Sequence, residues 1–270
     1  MKKVVRFFTV TLLVGLMVLA GCIAKLLLDR QRTEGNAPPI VTMQPELMPT
    51  EAPTPEPTPA PTEEPKKTIY LTFDDGPSEH TERLLDLLDA YGVKATFFVT
   101  HDYPDYTDMI GEEFRRGHAV GVHAYRHVYG QIYNSTDSFF DSFDRMQDII
   151  VEQTGQETHL FRFPGGSSNE VSNGLMPQLV NLMDEGDVLY FDWDVDGHDA
   201  TDAHTKDEVM ANLVEGVKEC KKTCVVLCHD RFDYTVDAMK EFIPWAIDNG
   251  FVFDKLSEEA PQVHHKLAED

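Results

Sequence analysis

From residue 66 onward, the sequence alternates between short apolar segments and longer amphipathic ones. Short apolar segments bounded by turn residues predict buried strands, and amphipathic segments predict helices. Seven strands are predicted, at Thr68–Phe73, Ala95–Val99, Ala119–Val122, His159–Phe163, Val188–Trp193, Thr223–Leu227 and Phe251–Asp254. Six helices alternate with them, at Thr81–Tyr91, Tyr106–Arg116, Asp137–Gln153, Ser172–Asp184, Thr205–Glu219 and Val236–Asp248. This alternation indicates a parallel α/β sheet, either a closed barrel or an open doubly wound sheet.

Residues 1–33 carry the pattern of a membrane-targeting segment. Basic residues precede an apolar run, Phe7–Ala24, that is close to the minimum length of a membrane-spanning helix. One interpretation is an uncleaved signal anchor. Another is a bacterial lipoprotein signal, since the Leu-Ala-Gly-Cys sequence at residues 19–22 looks like a lipobox, and a cleaved secretory peptide is a third. The first two interpretations place the rest of the chain on the extracytoplasmic face of the cell membrane.

Residues 34–65 predict a disordered linker, because ten of the 16 prolines lie there and this composition cannot build a packed core. The linker is either a stalk that reaches the cell wall or a passive spacer. The rest of the chain divides into a predicted folded domain, residues 66–258, and a C-terminal tail, residues 259–270. A formal net charge of −24 excludes a nucleic-acid partner bound through a basic face. We expect the protein to be a monomer.

Polar side chains follow five of the predicted strands in chain order. They are Asp74-Asp75 after the first strand, His123 and His127 after the third, Arg162 at the end of the fourth, the residues from Asp192 to Asp199 around the end of the fifth, and His229-Asp230 after the sixth. The carboxyl ends of parallel strands share one edge of a sheet, where α/β enzymes gather their catalytic groups. We therefore expect these side chains to converge in space.

The chemistry of these groups indicates a metal site. His123 and His127 are four residues apart, so on a helical turn their rings point the same way. Two imidazoles and a carboxylate form a common site for a divalent metal ion. Taken alone, the histidine pair could be a coincidence of the surface, and Asp74-Asp75 could belong to an ordinary turn. The functional alternative gives one carboxylate to the metal and makes the other a proton acceptor.

Five segments resemble the ordered motifs of a known family. The sequence Thr-Phe-Asp-Asp-Gly-Pro at residues 72–77 looks like the first motif of the polysaccharide deacetylases, the NodB homology domain of carbohydrate esterase family four. The second to fifth motifs are similar, in the family's order, to His123–His127, Arg162–Gly166, Asp196–Asp199 and Leu227–His229. The resemblance covers residues 66–256.

The resemblance implies a distorted (β/α) barrel of about seven parallel strands and metal-dependent removal of acetyl groups from N-acetylated sugars. Asp75, His123 and His127 would hold one divalent ion, which we expect to be zinc, with cobalt or another transition ion as the alternative. Asp74 would be the general base. His229 would be the general acid that protonates the leaving amine.

The resemblance also assigns supporting roles. Arg162 would orient Asp74, and Asp199 would pair with His229. The backbone N–H of Gly165 would help to hold the oxyanion, and Leu227 would line the acetyl pocket. The sequence departs from the family pattern at Ala200, where a tryptophan often forms one wall of the sugar pocket; the replacement wall would come from Tyr190, Phe191 or Trp193.

The substrate is inferred from the expected location. A membrane segment and a proline-rich stalk would place the domain beside peptidoglycan, whose N-acetylglucosamine is a nearby N-acetyl amide. Chitin oligosaccharides and O-acetylated xylan are the alternative substrates. A catalytically silent sugar-binding domain on the same fold would be expected to lack a ligand, base or acid, whereas all of these residues are present.

Overall fold

The computed structural model describes residues 67–267 of the chain. This part contains eight strands: β1 Thr68–Asp74, β2 Thr96–Val99, β3 Ala119–Val122, β4 Leu160–Phe161, β5 Leu189–Tyr190, β6 Val195–Asp196, β7 Thr223–His229 and β8 Val252–Asp254. It also contains seven α-helices: α1 Thr81–Tyr91, α2 Met109–Arg115, α3 Tyr129–Ile132, α4 Thr136–Thr154, α5 Met176–Glu185, α6 Lys206–Glu219 and α7 Asp233–Asp248.

The strands form one parallel sheet that curls into a half-barrel. Seven of the described strands follow the order β5-β4-β3-β2-β1-β7-β6, and β8 pairs with the first residues of β1. β1 and β7 pair along their whole length, from Thr68 opposite Thr223 to Asp74 opposite His229. β5 and β6 stand at the two ends of the order and do not pair with each other. The expectation of a parallel α/β sheet is confirmed.

The core lies between the sheet and the helices that connect its strands. Phe73 on β1 stacks on Phe97 on β2, with ring centroids 5.4 Å apart. α1 places Leu84, Leu85 and Leu88 in the core because these positions share one face of a helix. Burial of each such side chain contributes about 1.5–3 kcal/mol to the hydrophobic driving force for folding. Packing against these helices therefore stabilises the sheet whose strand ends carry the polar side chains.

The fifth predicted strand, Val188–Trp193, is shorter in the structure, where β5 covers only Leu189–Tyr190, and an unpredicted strand, β6, follows it at Val195–Asp196. The Phe191 N–H still donates to Phe161 O at the β4 side, at 2.9 Å, but the Asp194 N–H donates to Val225 O on β7, also at 2.9 Å. The chain thus changes its pairing partner between these residues. The prediction placed the end of β5 too late and missed β6, because the apolar pattern shows burial and not which strand supplies the hydrogen bonds.

Two predicted helices begin later than expected. The helix predicted from Ser172 begins at Met176, because Asn173 and Gly174 have φ angles of 49° and 76°, which a right-handed helix does not allow. The helix predicted from Tyr106 begins at Met109, after a 3₁₀ turn at Pro104–Tyr106.

The predicted membrane segment and proline-rich linker, residues 1–65, lie outside the described residues. Among residues 67–267, no helix is long and apolar enough to cross a membrane. The targeting segment, the linker and the domain boundaries therefore remain predictions.

Candidate active site

The site lies where β1, β3, β4 and β7 end. Asp74 is the last residue of β1, and Asp75 follows it. His123 comes directly after β3, and His229 is the last residue of β7. Because the strands are parallel, all of these ends meet at the same edge of the sheet.

Asp75, His123 and His127 form a cluster with metal-binding geometry. One ligand atom from each residue lies within 4.8 Å of the others. Asp75 Oδ1 is 3.6 Å from His123 Nε2 and 3.8 Å from His127 Nε2. The same Oδ1 atom is buried and accepts no hydrogen bond from the described residues. A buried carboxylate oxygen without a donor is costly, and a divalent cation bound by these three atoms would satisfy it. The three residues therefore fit a divalent metal ion.

The orientation of His123 suits a metal ligand. Its Nδ1 atom lies 2.8 Å from the carbonyl oxygen of Arg162, which can only accept, so Nδ1 carries the proton and Nε2 presents its lone pair to Asp75. Burial lowers the pKa of His123, and the nearby His127 lowers it too, although Asp74 and Asp75 act in the opposite direction. The low pKa favours the neutral imidazole that a metal requires.

Asp75 keeps its charge despite being buried. Burial by itself would raise the pKa of its carboxyl group, but the charges of His229, His123, His127 and Arg231 outweigh burial and bring the pKa below its ordinary value. Arg231 is the cation that sequence reasoning missed; its Nη1 lies 3.4 Å from Asp75 Oδ2. The only signal for it was a basic residue close behind the fifth motif of an acidic chain.

In the turn after β1, the backbone of Gly76 lies close to the side chain of Asp230. Asp75 has a φ of 70°, and a Cβ on Gly76 would lie 2.1 Å from Asp230 Oδ1. Only glycine fits there. Asp230 is itself buried and accepts a hydrogen bond from the Thr81 hydroxyl, so it fixes this turn to the start of α1. Burial and the charge of the neighbouring Asp75 together raise the pKa of Asp230 to about 7, although the hydrogen bond from Thr81 acts in the opposite direction.

Arg162 is a buried residue that orients Asp74 by hydrogen bonding. The guanidinium group is completely buried and donates from Nη1 to Asp74 Oδ1 at 2.9 Å and to Thr72 Oγ1 at 2.6 Å. Its Nε and Nη2 atoms donate to the carbonyl oxygens of Phe191 and Asp192, at 2.8 and 3.1 Å. With its donors distributed in this way, Arg162 fixes the direction of the Asp74 carboxylate. Asp74 Oδ2 remains free to face the cluster, 3.8 Å from His123 Nε2.

His229 and Asp199 form a second tight pair. His229 Nδ1 donates to Asp199 Oδ1 at 2.7 Å, and the His229 backbone N–H donates to Asp199 Oδ2 at 2.7 Å. Burial lowers the pKa of His229, but its hydrogen bond and charge interaction with Asp199, followed by the charges of Asp75 and Asp74, raise it to about 9. The Nε2 atom is left on the side of the metal-site cluster, 4.0 Å from Asp75 Oδ2. This pair can hold a proton that is available for donation.

A cleft of about 370 Å³ is lined by the three residues of the metal-site cluster and by Asp74, His229 and Arg231. Gly165 and Leu227 line it, as the sequence resemblance implied. The N–H of Gly165 makes no hydrogen bond among the described residues, and its φ of 79° places it in a tight turn. Two aromatic side chains, Trp193 and Tyr129, also line the cleft. Trp193 is thus the one of the three proposed aromatic replacements for the family's tryptophan that reaches the cleft, whereas Tyr129 was missed by sequence reasoning.

Known proteins resemble this chain in sequence and in fold. The family model for polysaccharide deacetylases matches residues 62–180. A peptidoglycan-N-acetylglucosamine deacetylase of Bacillus cereus is 30% identical over 199 residues, which cover 72% of this chain and 88% of that relative. The chain belongs to the polysaccharide deacetylase family. Its resemblance to that family, expected from the five motifs, is confirmed.

A solved structure and a longer relative extend the comparison. The catalytic domain of peptidoglycan N-acetylglucosamine deacetylase from Eubacterium rectale is 44% identical, with a TM-score of 0.74, over 81% of this chain and 98% of that one. The peptidoglycan-N-acetylmuramic acid deacetylase PdaC of Bacillus subtilis is 30% identical over 199 residues, which cover 38% of that relative. As a member of this polysaccharide deacetylase family, the protein is a hydrolytic deacetylase.

Proposed function

We propose that the protein is a metal-dependent N-deacetylase that removes the acetyl group from N-acetylglucosamine in peptidoglycan. One observation carries the reaction type: two hydrogen-bonded ion pairs, Asp74–Arg162 and His229–Asp199, flank a cluster of three potential metal ligands. Amide hydrolysis needs a proton acceptor for the attacking water and a proton donor for the departing amine. The two pairs supply one of each.

The cleft residues divide the reaction between them. A divalent ion on Asp75, His123 and His127 would polarise the acetyl carbonyl and lower the pKa of a water molecule. Asp74, oriented by Arg162, takes the proton of the attacking water. The Gly165 N–H donates a hydrogen bond to the developing oxyanion, and Leu227 contacts the acetyl methyl group. His229, protonated through its contact with Asp199, donates a proton from Nε2 to the leaving nitrogen.

Two lines of argument support peptidoglycan as the substrate. The relatives from Bacillus cereus and Eubacterium rectale carry that activity in their names, at 30% and 44% identity. In addition, residues 1–33 and the proline-rich linker would hold the domain on the outer face of the membrane, within reach of the cell wall. Zinc is the ion we propose, because two imidazoles and one carboxylate leave open positions on it for water and substrate.

Acetate release from several acetylated glycans tests this assignment. The full chain, loaded with zinc, is incubated with purified peptidoglycan, with chitopentaose and with O-acetylated xylan. We expect acetate from peptidoglycan, and mass spectrometry of the digested glycan should show glucosamine in place of N-acetylglucosamine. Release from chitopentaose with no change in peptidoglycan would assign the protein to chitin-type substrates, and release from xylan alone would make it an O-acetyl esterase.

A further inference from the structure

Residues from the end of the chain bind the segment that connects β5 and β6. Because these two strands do not pair, the segment Phe191–Asp194 between them would leave backbone groups without partners. The Asp192 N–H instead donates to Val263 O at 2.8 Å, and His265 Nε2 donates to Trp193 O at 2.7 Å. We call Val263–His265 the C-terminal strap.

Both histidines of the strap pack on aromatic side chains. The ring of His264 stacks on Tyr190, with centroids 3.9 Å apart and an interplanar angle of 10°, and its Nε2 donates to Tyr190 O at 3.1 Å. The ring of His265 meets Trp193 edge-on, with centroids 4.7 Å apart. His265 thus holds Trp193 in two ways, through the backbone carbonyl and through the indole ring.

The strap also reaches the turn that carries Gly165. The backbone N–H of His265 donates to Asp192 Oδ2 at 2.8 Å. The same carboxylate accepts a 2.8 Å hydrogen bond from the Ser167 N–H at Oδ1 and a further one from the Ser167 hydroxyl at Oδ2. Asp192 is therefore a buried bridge between the strap and the turn at residues 165–167.

The segment Phe191–Asp194 also helps to orient Asp74, because it binds Arg162. Arg162 donates to the carbonyl oxygens of Phe191 and Asp192 while it holds Asp74. Trp193 packs against the Gly165–Gly166 turn so closely that a Cβ on Gly166 would lie 2.9 Å from Trp193 Cη2. The strap thus contacts a segment that also binds Arg162, the partner of Asp74. The same segment contributes Trp193 to the wall of the cleft.

We propose that the C-terminal strap is part of the apparatus that shapes the substrate cleft, and that His265 is a positioning residue for Trp193 and the Gly165–Gly166 turn. This inference rests on the proposed deacetylase function, because it assigns the wall that would face the sugar. The metal-site residues follow β1 and β3, in the middle of the sheet order, whereas the strap contacts β5, at one end of that order, and the segment after it. Loss of the strap should therefore disturb substrate binding and leave metal binding intact.

His265→Ala in the zinc-loaded full chain tests the proposal. The matched control is His159→Ala, since His159 is an exposed histidine whose ring also contacts a backbone carbonyl, that of Asp187 at 3.2 Å. We expect kcat/KM on soluble peptidoglycan fragments to fall on the order of tenfold, mainly through KM, because small displacements of positioning groups have effects of this size or larger. Zinc stoichiometry should stay at the wild-type value. His265→Gln, which can still donate to Trp193 O, should recover part of the loss.

A fluorescence measurement tests the strap without reference to activity. In a Trp245→Phe background, Trp193 is the remaining tryptophan of the chain, since there are two in total. We expect His265→Ala to increase quenching of its emission by acrylamide, and His159→Ala to leave it unchanged. Unchanged quenching together with wild-type kinetics in His265→Ala would overturn the proposal. A wild-type enzyme that releases no acetate would refute the proposed function instead, while quenching would still decide whether His265 holds Trp193.

Discussion

The pairing of His229 with Asp199 can be tested by replacing one charged group. Asp199→Asn keeps the size of the side chain but removes its negative charge. In the wild type, the two carboxylate oxygens accept hydrogen bonds from His229 Nδ1, from the His229 N–H and from Thr235 Oγ1, each at 2.7 Å. An amide has one acceptor oxygen instead of two, so the variant must weaken at least one of these contacts.

The size of the effect follows from the environment of His229. Burial lowers the pKa of His229, and the hydrogen bond and charge of Asp199 are the largest influences that raise it to about 9. Without that charge, burial should bring the pKa well below about 9, towards the ordinary histidine value of about 6.5. At the ordinary value, the protonated fraction of the imidazole at pH 7.5 would be roughly a tenth instead of nearly complete. Loss of the protonated general acid should therefore lower kcat at that pH by up to about tenfold.

The same pairing makes the stability of the metal-free protein depend on pH. Because the folded protein binds the His229 proton more tightly than the unfolded chain, the stabilisation is complete below pH 6.5 and is lost as the pH rises to about 9. The difference between 6.5 and about 9 corresponds to roughly 3 kcal/mol. We expect the wild type to lose about this much unfolding free energy across that range and Asp199→Asn to lose little of it.

Two measurements check these expectations. The pKa of His229 is followed by NMR in chelator-treated protein, because a cation beside Asp75 would itself lower that pKa. Guanidinium unfolding of the same samples at pH 6 and pH 9 gives the change in stability. The kcat profile of the zinc-loaded enzymes should show its alkaline limb at lower pH in the variant.

Asp202→Asn is the matched control, since Asp202 is exposed in the same loop. It should leave the His229 pKa and the pH dependence of stability as in the wild type. The electrostatic argument is wrong if Asp199→Asn retains a His229 pKa near that of the wild type, or if Asp202→Asn lowers it as much.

Three further substitutions address the metal site and the cleft wall. Asp75→Asn should lose bound zinc, because a neutral amide is a poorer ligand, whereas Asp74→Asn should keep zinc and lose about 10²–10⁴-fold in kcat. Metal analysis and kinetics on both variants decide this, and the reverse pattern of zinc retention would show that the two roles are exchanged. Gly166→Ala should destabilise the protein by about 1 kcal/mol or more and raise KM, because φ is 78° and the new Cβ would press on Trp193. A variant with wild-type melting temperature and KM would contradict the close approach.

Much of the fold follows from local sequence pattern. Buried strands such as β1 and amphipathic helices such as α1 depend on the spacing of apolar residues along the chain, which is visible without any tertiary contact. The expected convergence of polar groups follows from geometry as well, since the ends of parallel strands meet at one edge. The structure brings Asp74 and His229 opposite each other in the pairing of β1 and β7. Their catalytic roles remain predictions.

Only the tertiary structure decided how the cleft is completed. Arg231, Tyr129 and Trp193 line it through contacts between segments far apart in sequence. The sequence predicts the C-terminal strap to be a tail, because nothing in its composition shows that it binds the segment between β5 and β6. Apolar periodicity reports which side chains are buried, whereas a backbone N–H and C=O are the same in every residue. Which partner satisfies them is therefore decided when the chain is folded, and that choice sets the position of Trp193 beside the cleft.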